Sequence, residues 1–294
     1  MRISTGYQFD KSASQIAASQ ARLFEAQRQI STGKRIEAPS DDPVGTRALL
    51  GYKSLRSGIE QYSQNLGMAK GFLSFTEEAL GETAAIMRQG YELALRGANS
   101  STDQIGRNAM ADEVSQLQRR LADLANTQGA SGSYIFGGHK INAKPFTLSG
   151  SSLIYGGDAG TINVETSPSD TLPVNSLMGA QFVSAFQELE DLKSRLMGGD
   201  IGGLSGVSIP GLQDEQNAFN LERGRVGVKL RSVEEMIGSH ARRAEELTGG
   251  ISGIEDVDLT EAIVGYKQAE TAYQAALQAA SLGYGLSLMD FIRG

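Results

Sequence analysis

YKSLRSGIEQYSQNLGMAKGFLSFTEEALGETAAIMRQGYELA, residues 52–94, is the stretch on which the architecture turns. Tyr52, Ile59, Leu66, Leu73, Leu80, Met87 and Ala94 recur every seven residues, and Leu55, Tyr62 and Ala69 make a second row. That period puts the rows on one stripe of an α-helix, as narrow as a coiled-coil seam. A single helix from Gly45 to Arg96 would be roughly 78 Å long at 1.5 Å per residue. A globular domain rarely needs such a rod; a fibrous assembly does. Glycines at 51, 58, 67, 71 and 81 weaken it, and either permit close helix contact or mark breaks.

Upstream, Phe9, Ile16, Leu23 and Ile30 repeat every seven residues, and Gly33 supplies a helix stop. Lys34 and Arg35 then lie near the negative end of that helix's dipole, and their plain reading is a solvated helix end. In Ala38-Pro39-Ser40-Asp41-Asp42-Pro43, Pro39 favours an extended Ala38, while Asp42 and Pro43 read as N-cap and first helical residue. Paired aspartates also serve metals and acid–base chemistry, but no third ligand is close in sequence. Downstream, Ser101-x-x-Gln104 resembles a capping box, and Met110, Val114, Leu117, Leu121 and Leu124 predict a third helix reaching about Gln128.

From Gly129 the texture changes. Tyr134–Phe136, Phe146–Leu148, Leu153–Tyr155 and Thr161–Thr166 are short strand candidates between turn residues, in a β-rich insertion that ends near Leu177. Phe182, Phe186, Leu189, Leu192 and Leu196 suggest a shorter helix, and Met197–Gly211 reads as a glycine-rich loop. Helix resumes near Asp214, with Phe219, Val226, Val233, His240 and Leu247 seven apart. Gly249–Gly253 reads as flexible. Asp258 and Glu261 then open a last helix, whose Leu259, Ile263, Tyr266, Glu270, Tyr273, Leu277, Ala280 and Tyr284 alternate four and three apart, and the seam extends to Leu288.

The fold class is therefore mainly α: a long helical bundle or coiled coil formed by the N- and C-terminal segments, with a small β-rich insertion in the middle. Three domains are expected: 1–44 with 254–294 as a terminal coiled coil, 45–128 with 178–253 as a helical rod, and 129–177 as the insertion. A chain that goes out, turns and returns pairs its two ends as antiparallel helices. The expected seam comprises Phe9, Ile16, Leu23, Ile30, Ile263, Tyr266, Tyr273, Leu277, Tyr284 and Leu288.

Composition narrows the function. The net charge is -7, and no dense Lys/Arg run offers a footprint for duplex nucleic acid. Cysteine is absent, which excludes disulfides, zinc–thiolate sites and a cysteine nucleophile. No apolar run approaches the roughly 18 residues that span a bilayer. No apolar segment follows Met1-Arg2-Ile3-Ser4-Thr5-Gly6, so a Sec-type signal is not expected. The two histidines, His139 after Gly137-Gly138 in an expected hairpin loop and His240 on an apolar row, read as structural. No HExxH, GxSxG or Walker pattern occurs, so no catalytic, metal or cofactor site is expected.

Two segments resemble the ends of flagellins and their hook-associated relatives. One is Ile30–Gly45, with its Ser-Thr-Gly, basic pair and Asp-Asp turn; the other is Glu261–Arg293. Tyr91–Asn99 is a weaker third match. Met1–Thr5, the turn motif Pro39, Ser40, Asp41, Asp42 and Pro43, and Tyr134–Gly138 with Tyr155–Asp158 resemble the hook–filament junction branch of that family. The resemblance implies a structural subunit, exported by the flagellar type III apparatus and located outside the cell. Its implied partners are further copies of itself in a ring, hook-associated protein 1, flagellin and an export chaperone. It further implies that the terminal helices complete their core with neighbouring subunits. A short flagellin is the nearest rival; another type III-secreted coiled-coil protein, or an enzyme on the insertion, stands further off.

Overall fold

The computed structural model describes residues 5–293, without the side chains of residues 5, 6, 8 and 282–293. The chain runs α1 (Thr5–Thr32), α2 (Pro43–Gly97), α3 (Gln104–Ala125), β1 (Phe146–Ser149), β2 (Ser152–Tyr155), β3 (Asn163–Ser167), β4 (Asp170–Pro173), α4 (Gly179–Gly198), α5 (Ile201–Gly203), a π-helical turn (Leu204–Ser208), α6 (Ile209–Glu255) and α7 (Leu259–Arg293). It is mainly α, with the strands in the middle. Two compact units form: Met1–Ser57 with Ala244–Gly294, and Gly58–Arg243.

In the larger unit, the α2 row that the seven-residue repeat predicts is sealed. Leu66, Leu73, Leu80, Met87 and Ala94 are all fully buried. Facing them are Val114 and Leu121 of α3, Phe182, Leu189, Leu192 and Leu196 of α4, and Leu212, Phe219, Val226 and Val233 of α6. Four phenylalanines knit this core: Phe182 stacks at 4.8 Å from Phe136, 5.5 Å from Phe146 and 5.2 Å from Phe219 between ring centroids. Offset and edge-on pairs at these distances add to what burial itself contributes. α2 runs unbroken through its glycines, because tertiary burial outweighs their intrinsic helix penalty.

The β segment is two separate antiparallel hairpins, β1–β2 and β3–β4, each short enough to depend on its neighbours. Asn126, just past α3, holds β1 by donating to the Phe146 carbonyl at 3.1 Å and accepting from the Phe146 amide at 3.0 Å. His139 and His240 each place Nε2 about a hydrogen bond from a carbonyl, Thr161 at 3.1 Å and Thr166 at 3.0 Å.

The structure departs from sequence expectation in several places. Tyr134–Phe136 is not a strand: Ile135 and Phe136 are both buried, and two successive inward side chains do not fit a two-faced strand. β4 lacks alternating apolar residues and was not expected from the sequence. α3 is capped by Asp103, whose side chain accepts from Gly106 N, rather than by Ser101, and it ends at Ala125, short of Gln128. Met197–Gly211 is largely helical: after left-handed Gly199, Asp200 caps a new helix, and the buried Leu204 and Leu212 hold the segment to the core. The wide turn at Leu204–Ser208 runs directly into α6, so Pro210 lies within a continuous helical run, and its missing donor coincides with the local widening. Gly249–Gly253 is likewise helical, anchored by buried Leu247 and Ile251. Gly250 is there for space: a β-carbon would lie 3.2 Å from the Tyr52 ring.

Candidate assembly surface: the terminal helix pair

α1 and α7 pack antiparallel, tied where α1 ends and α7 begins. Gly33 closes α1 in the left-handed conformation, at φ 69°, which glycine adopts without strain. Beyond it, Arg35 N donates to the Glu255 carbonyl at 2.7 Å, and Val257 N donates to the Gly33 carbonyl at 2.9 Å. The Glu255 side chain lies beneath, 9% exposed, and takes Lys34 Nζ at 2.7 Å and Lys53 Nζ at 3.0 Å. Arg35 Nη2 adds a bond to the Ile254 carbonyl at 2.8 Å. Lys34 and Arg35 are thus engaged in this clasp, not simply a solvated helix end. The Lys34 hydrogen bond, then Lys53, holds the Glu255 carboxyl below the usual carboxylate range.

The aspartates of the 39–43 turn fold the chain between α1 and α2. Asp41 accepts from the amides of Ala38 at 2.8 Å and Glu37 at 3.1 Å. Asp42 caps α2 through Gly45 N at 2.8 Å and Val44 N at 3.1 Å, and meets Arg35 at 3.3 Å. These amides favour the ionised forms, so both carboxyls are held below their ordinary value. Pro39 and Ser40 are partly or fully exposed, and Pro43 is the first residue of α2. At the far side of the clasp, Asp258 caps α7 through the amides of Thr260 at 2.8 Å and Glu261 at 3.3 Å.

Along the pair, α1 turns Ser12, Ile16, Ser19, Leu23, Ala26 and Ile30 inward, at four–three spacing. α7 answers with Ala262, Tyr266, Ala269, Tyr273, Ala276 and Ala280 at the same spacing. Only Ala262 and Ala280 in these rows are fully buried; the others are half-buried. The structure therefore brings Ile16, Leu23, Ile30, Tyr266 and Tyr273 together. It leaves Ile263 51% and Leu277 42% exposed beside the α7 row, and Phe9 54% exposed where the α1 row continues towards its N-terminal end. Alanines at 262, 269 and 276 take the inward positions because their size lets two helices approach. Alanine carries little hydrophobic signal, so a reading of spacing took Ile263, Glu270 and Leu277 where the structure turns Ala262, Ala269 and Ala276 inward. The side chains of Tyr284 and Leu288, and the segment Met1–Ser4, lie outside the described residues. Glu270 is half-buried and pairs with Lys267 at 3.0 Å.

Elsewhere, a cleft of about 700 Å³ in the larger unit is lined by Tyr155, Asp158, Gly179, Ser184 and Glu188, among others. Burial pushes the Glu188 carboxyl up, aided by the negative charge of Asp191 and Glu215. Among the described residues, no group of three or more His, Cys, Asp or Glu is placed to hold a metal ion.

The family model for the bacterial flagellin N-terminal helical region matches residues 2–140. Flagellar hook-associated protein 3 of Escherichia coli (strain K12) is 25% identical over 314 residues, covering 99% of this chain and 99% of that protein. Flagellar hook-associated protein 3 of Salmonella typhimurium is 24% identical, with 100% of each chain covered. Among solved structures, Bacillus cereus FlgL superposes with a TM-score of 0.61 at 19% identity, over 69% of this chain and 99% of that one, a likeness of fold. The N-terminal part of the chain thus carries a match to the flagellin N-terminal helical region, and over its whole length the chain is similar to flagellar hook-associated protein 3.

Proposed function

We propose that this chain is a structural subunit of the bacterial flagellum, forming the junction layer between hook and filament on which flagellin assembles. The observation that supports this most is the end-to-end match to hook-associated protein 3, with 99% of both chains covered. The half-buried α1–α7 seam fits the reading. A helix pair that buries little on its own gains most from neighbours that cover what remains. In this reading the subunit is exported by the flagellar type III apparatus with an export chaperone. It assembles with copies of itself on hook-associated protein 1 and receives flagellin. It works by packing and carries out no catalysis. The seam residues Ile16, Leu23, Ile30, Tyr266 and Tyr273 serve both the pair and its neighbours; Ile263 and Leu277, beside the α7 row, face neighbours.

Complementation tests it. In a motile bacterium lacking its own hook-associated protein 3, this gene should restore filaments on hooks and stop the shedding of flagellin into the medium. A second reading, a short flagellin, draws on the match of residues 2–140 to the flagellin N-terminal region. It predicts bald cells in that assay and long filaments from the purified protein alone.

A further inference from the structure

In the larger unit, α4 and α6 meet along a polar ladder beside the phenylalanine core. Gln181, Ser184, Glu188 and Arg195 lie on one stripe of α4, at helical spacing. Glu215, Gly211 and Ser208, on α6 and the π-helical turn before it, face them in reverse order. Gln181 Nε2 and Ser184 Oγ each donate to the Glu215 carboxyl at 2.6 Å. Arg195 Nη1 donates to the buried Ser208 Oγ at 2.8 Å. Between these two closed rungs lies Glu188. Its carboxyl rests on Gly211, where a built β-carbon would collide with Oε2. Oε2 is buried and has no hydrogen-bond partner. An unpaired carboxylate oxygen is costly in such a place, and a neutral carboxyl much less so.

Charge surrounds this open rung. Asp191 and Arg195 lie on the same helix, and Asp214 and Glu215 on α6. Asp158 and Tyr155 line the same cleft of about 700 Å³. The α2 face packed behind, Ile86, Met87, Gly90, Leu93 and Ala94, brings no titratable group. Burial, then the negative charge of Asp191 and Glu215, favours a protonated Glu188, and Arg195 opposes them only in part. Above the rung runs Gly199–Ser208, with glycines at 199, 202, 203 and 206, which by itself favours a loop. The cleft gives an ionised Glu188 a way to water.

We propose that Glu188 is a proton-operated stop at the α4–α6 corner. Neutral, it stays against Gly211 and keeps the Gly199–Ser208 turn helical. Ionised, it swings into the cleft, and the turn loosens. The device does not depend on what the chain assembles with. Glu190 is its contrast on the same helix: Gln118 Nε2 at 2.8 Å and Lys193 Nζ at 3.0 Å satisfy that carboxylate.

Amide hydrogen exchange of the full chain, read by mass spectrometry and corrected for intrinsic rates, tests this between about pH 5 and about pH 8. In the unaltered chain, opening of residues 199–208 should increase at least about threefold towards the higher pH, while core peptides from α2 stay fixed. Glu188→Gln, neutral throughout, should hold the segment at one level across the range. Gly211→Ala takes the space of the carboxyl and should leave the segment open and independent of pH. Glu190→Gln should keep the dependence of the unaltered chain. A segment independent of pH in the unaltered chain overturns the proposal without recourse to any variant. So does a dependence that survives Glu188→Gln or Gly211→Ala, or one that Glu190→Gln also removes.

Discussion

Leu66, Leu73, Leu80 and Met87 on α2 are sealed from solvent, whereas Ile16, Leu23 and Ile30 on α1 are half-buried, although both rows repeat every seven residues. The first row meets three other helices and a cluster of four phenylalanines. The second meets one helix, and that helix offers four alanines and two tyrosines. The same periodicity thus yields a self-sufficient core in one place and an unfinished one in the other. What separates them is the number of partners and the volume they bring. The terminal unit compensates at one end with polar structure, the Glu255 clasp and the aspartate caps, which hold register without needing a thick apolar core.

The largest test of this contrast pairs two truncations. Phe182→Ala should destabilise the full chain by about 3–5 kcal/mol in denaturant unfolding, the cost of a large cavity in a packed core. Tyr273→Ala should cost about 1 kcal/mol, since only half of its side chain leaves water. Equal costs would erase the distinction between the two units. In assembly the order should reverse, with Tyr273→Ala failing to form a layer while remaining folded.

Next in size is the clasp. Glu255→Ala leaves Lys34 and Lys53 without their shared carboxylate, and the terminal unit should lose about 1–2 kcal/mol. Trypsin should then cut faster after Lys34 and Arg35 in the full chain, while the thermal unfolding of the phenylalanine core stays unchanged. Unaltered cleavage would show that the backbone bonds alone hold the two turns together.

Acid should separate the units further. Glu255, Asp41 and Asp42 have folded-state values below their unfolded ones. Their contribution is present above the ordinary carboxylate range and is lost as pH falls through the depressed folded values. Glu188 behaves in the opposite sense. Its folded value is raised, so its cost to the larger unit sets in as pH rises past the unfolded value and is relieved in acid. Hydrogen exchange corrected for intrinsic rates should show residues 33–36 and 254–257 losing protection before the core does. Simultaneous loss would mean that these carboxylates do not govern the clasp.

The smallest effect concerns α2 itself. Gly51→Ala fills open space on an exposed helix and should raise the stability of the free chain by about 0.5–1 kcal/mol. A loss instead would mean that the free chain already has a neighbour at this position.

The helical architecture was legible from spacing alone, since a seven-residue row of Leu, Met and Ala has few solutions other than a packed helix. The Asp42–Pro43 start of α2, the Gly33 stop of α1 and the Asp258 cap were legible because capping is local chemistry among adjacent residues. Three features needed tertiary structure. Met197–Gly211 and Gly249–Gly253 contain glycines that favour a loop locally, and only distant apolar partners for Leu204, Leu212, Leu247 and Ile251 make them helical. Ile135 and Phe136 read as strand until both are found facing one core. The inward phase of α7 depends on which residues are small enough to let α1 approach. Local conformational preference is written in neighbouring residues; burial is decided by residues far apart in the chain, and where the two disagreed in this protein, burial prevailed.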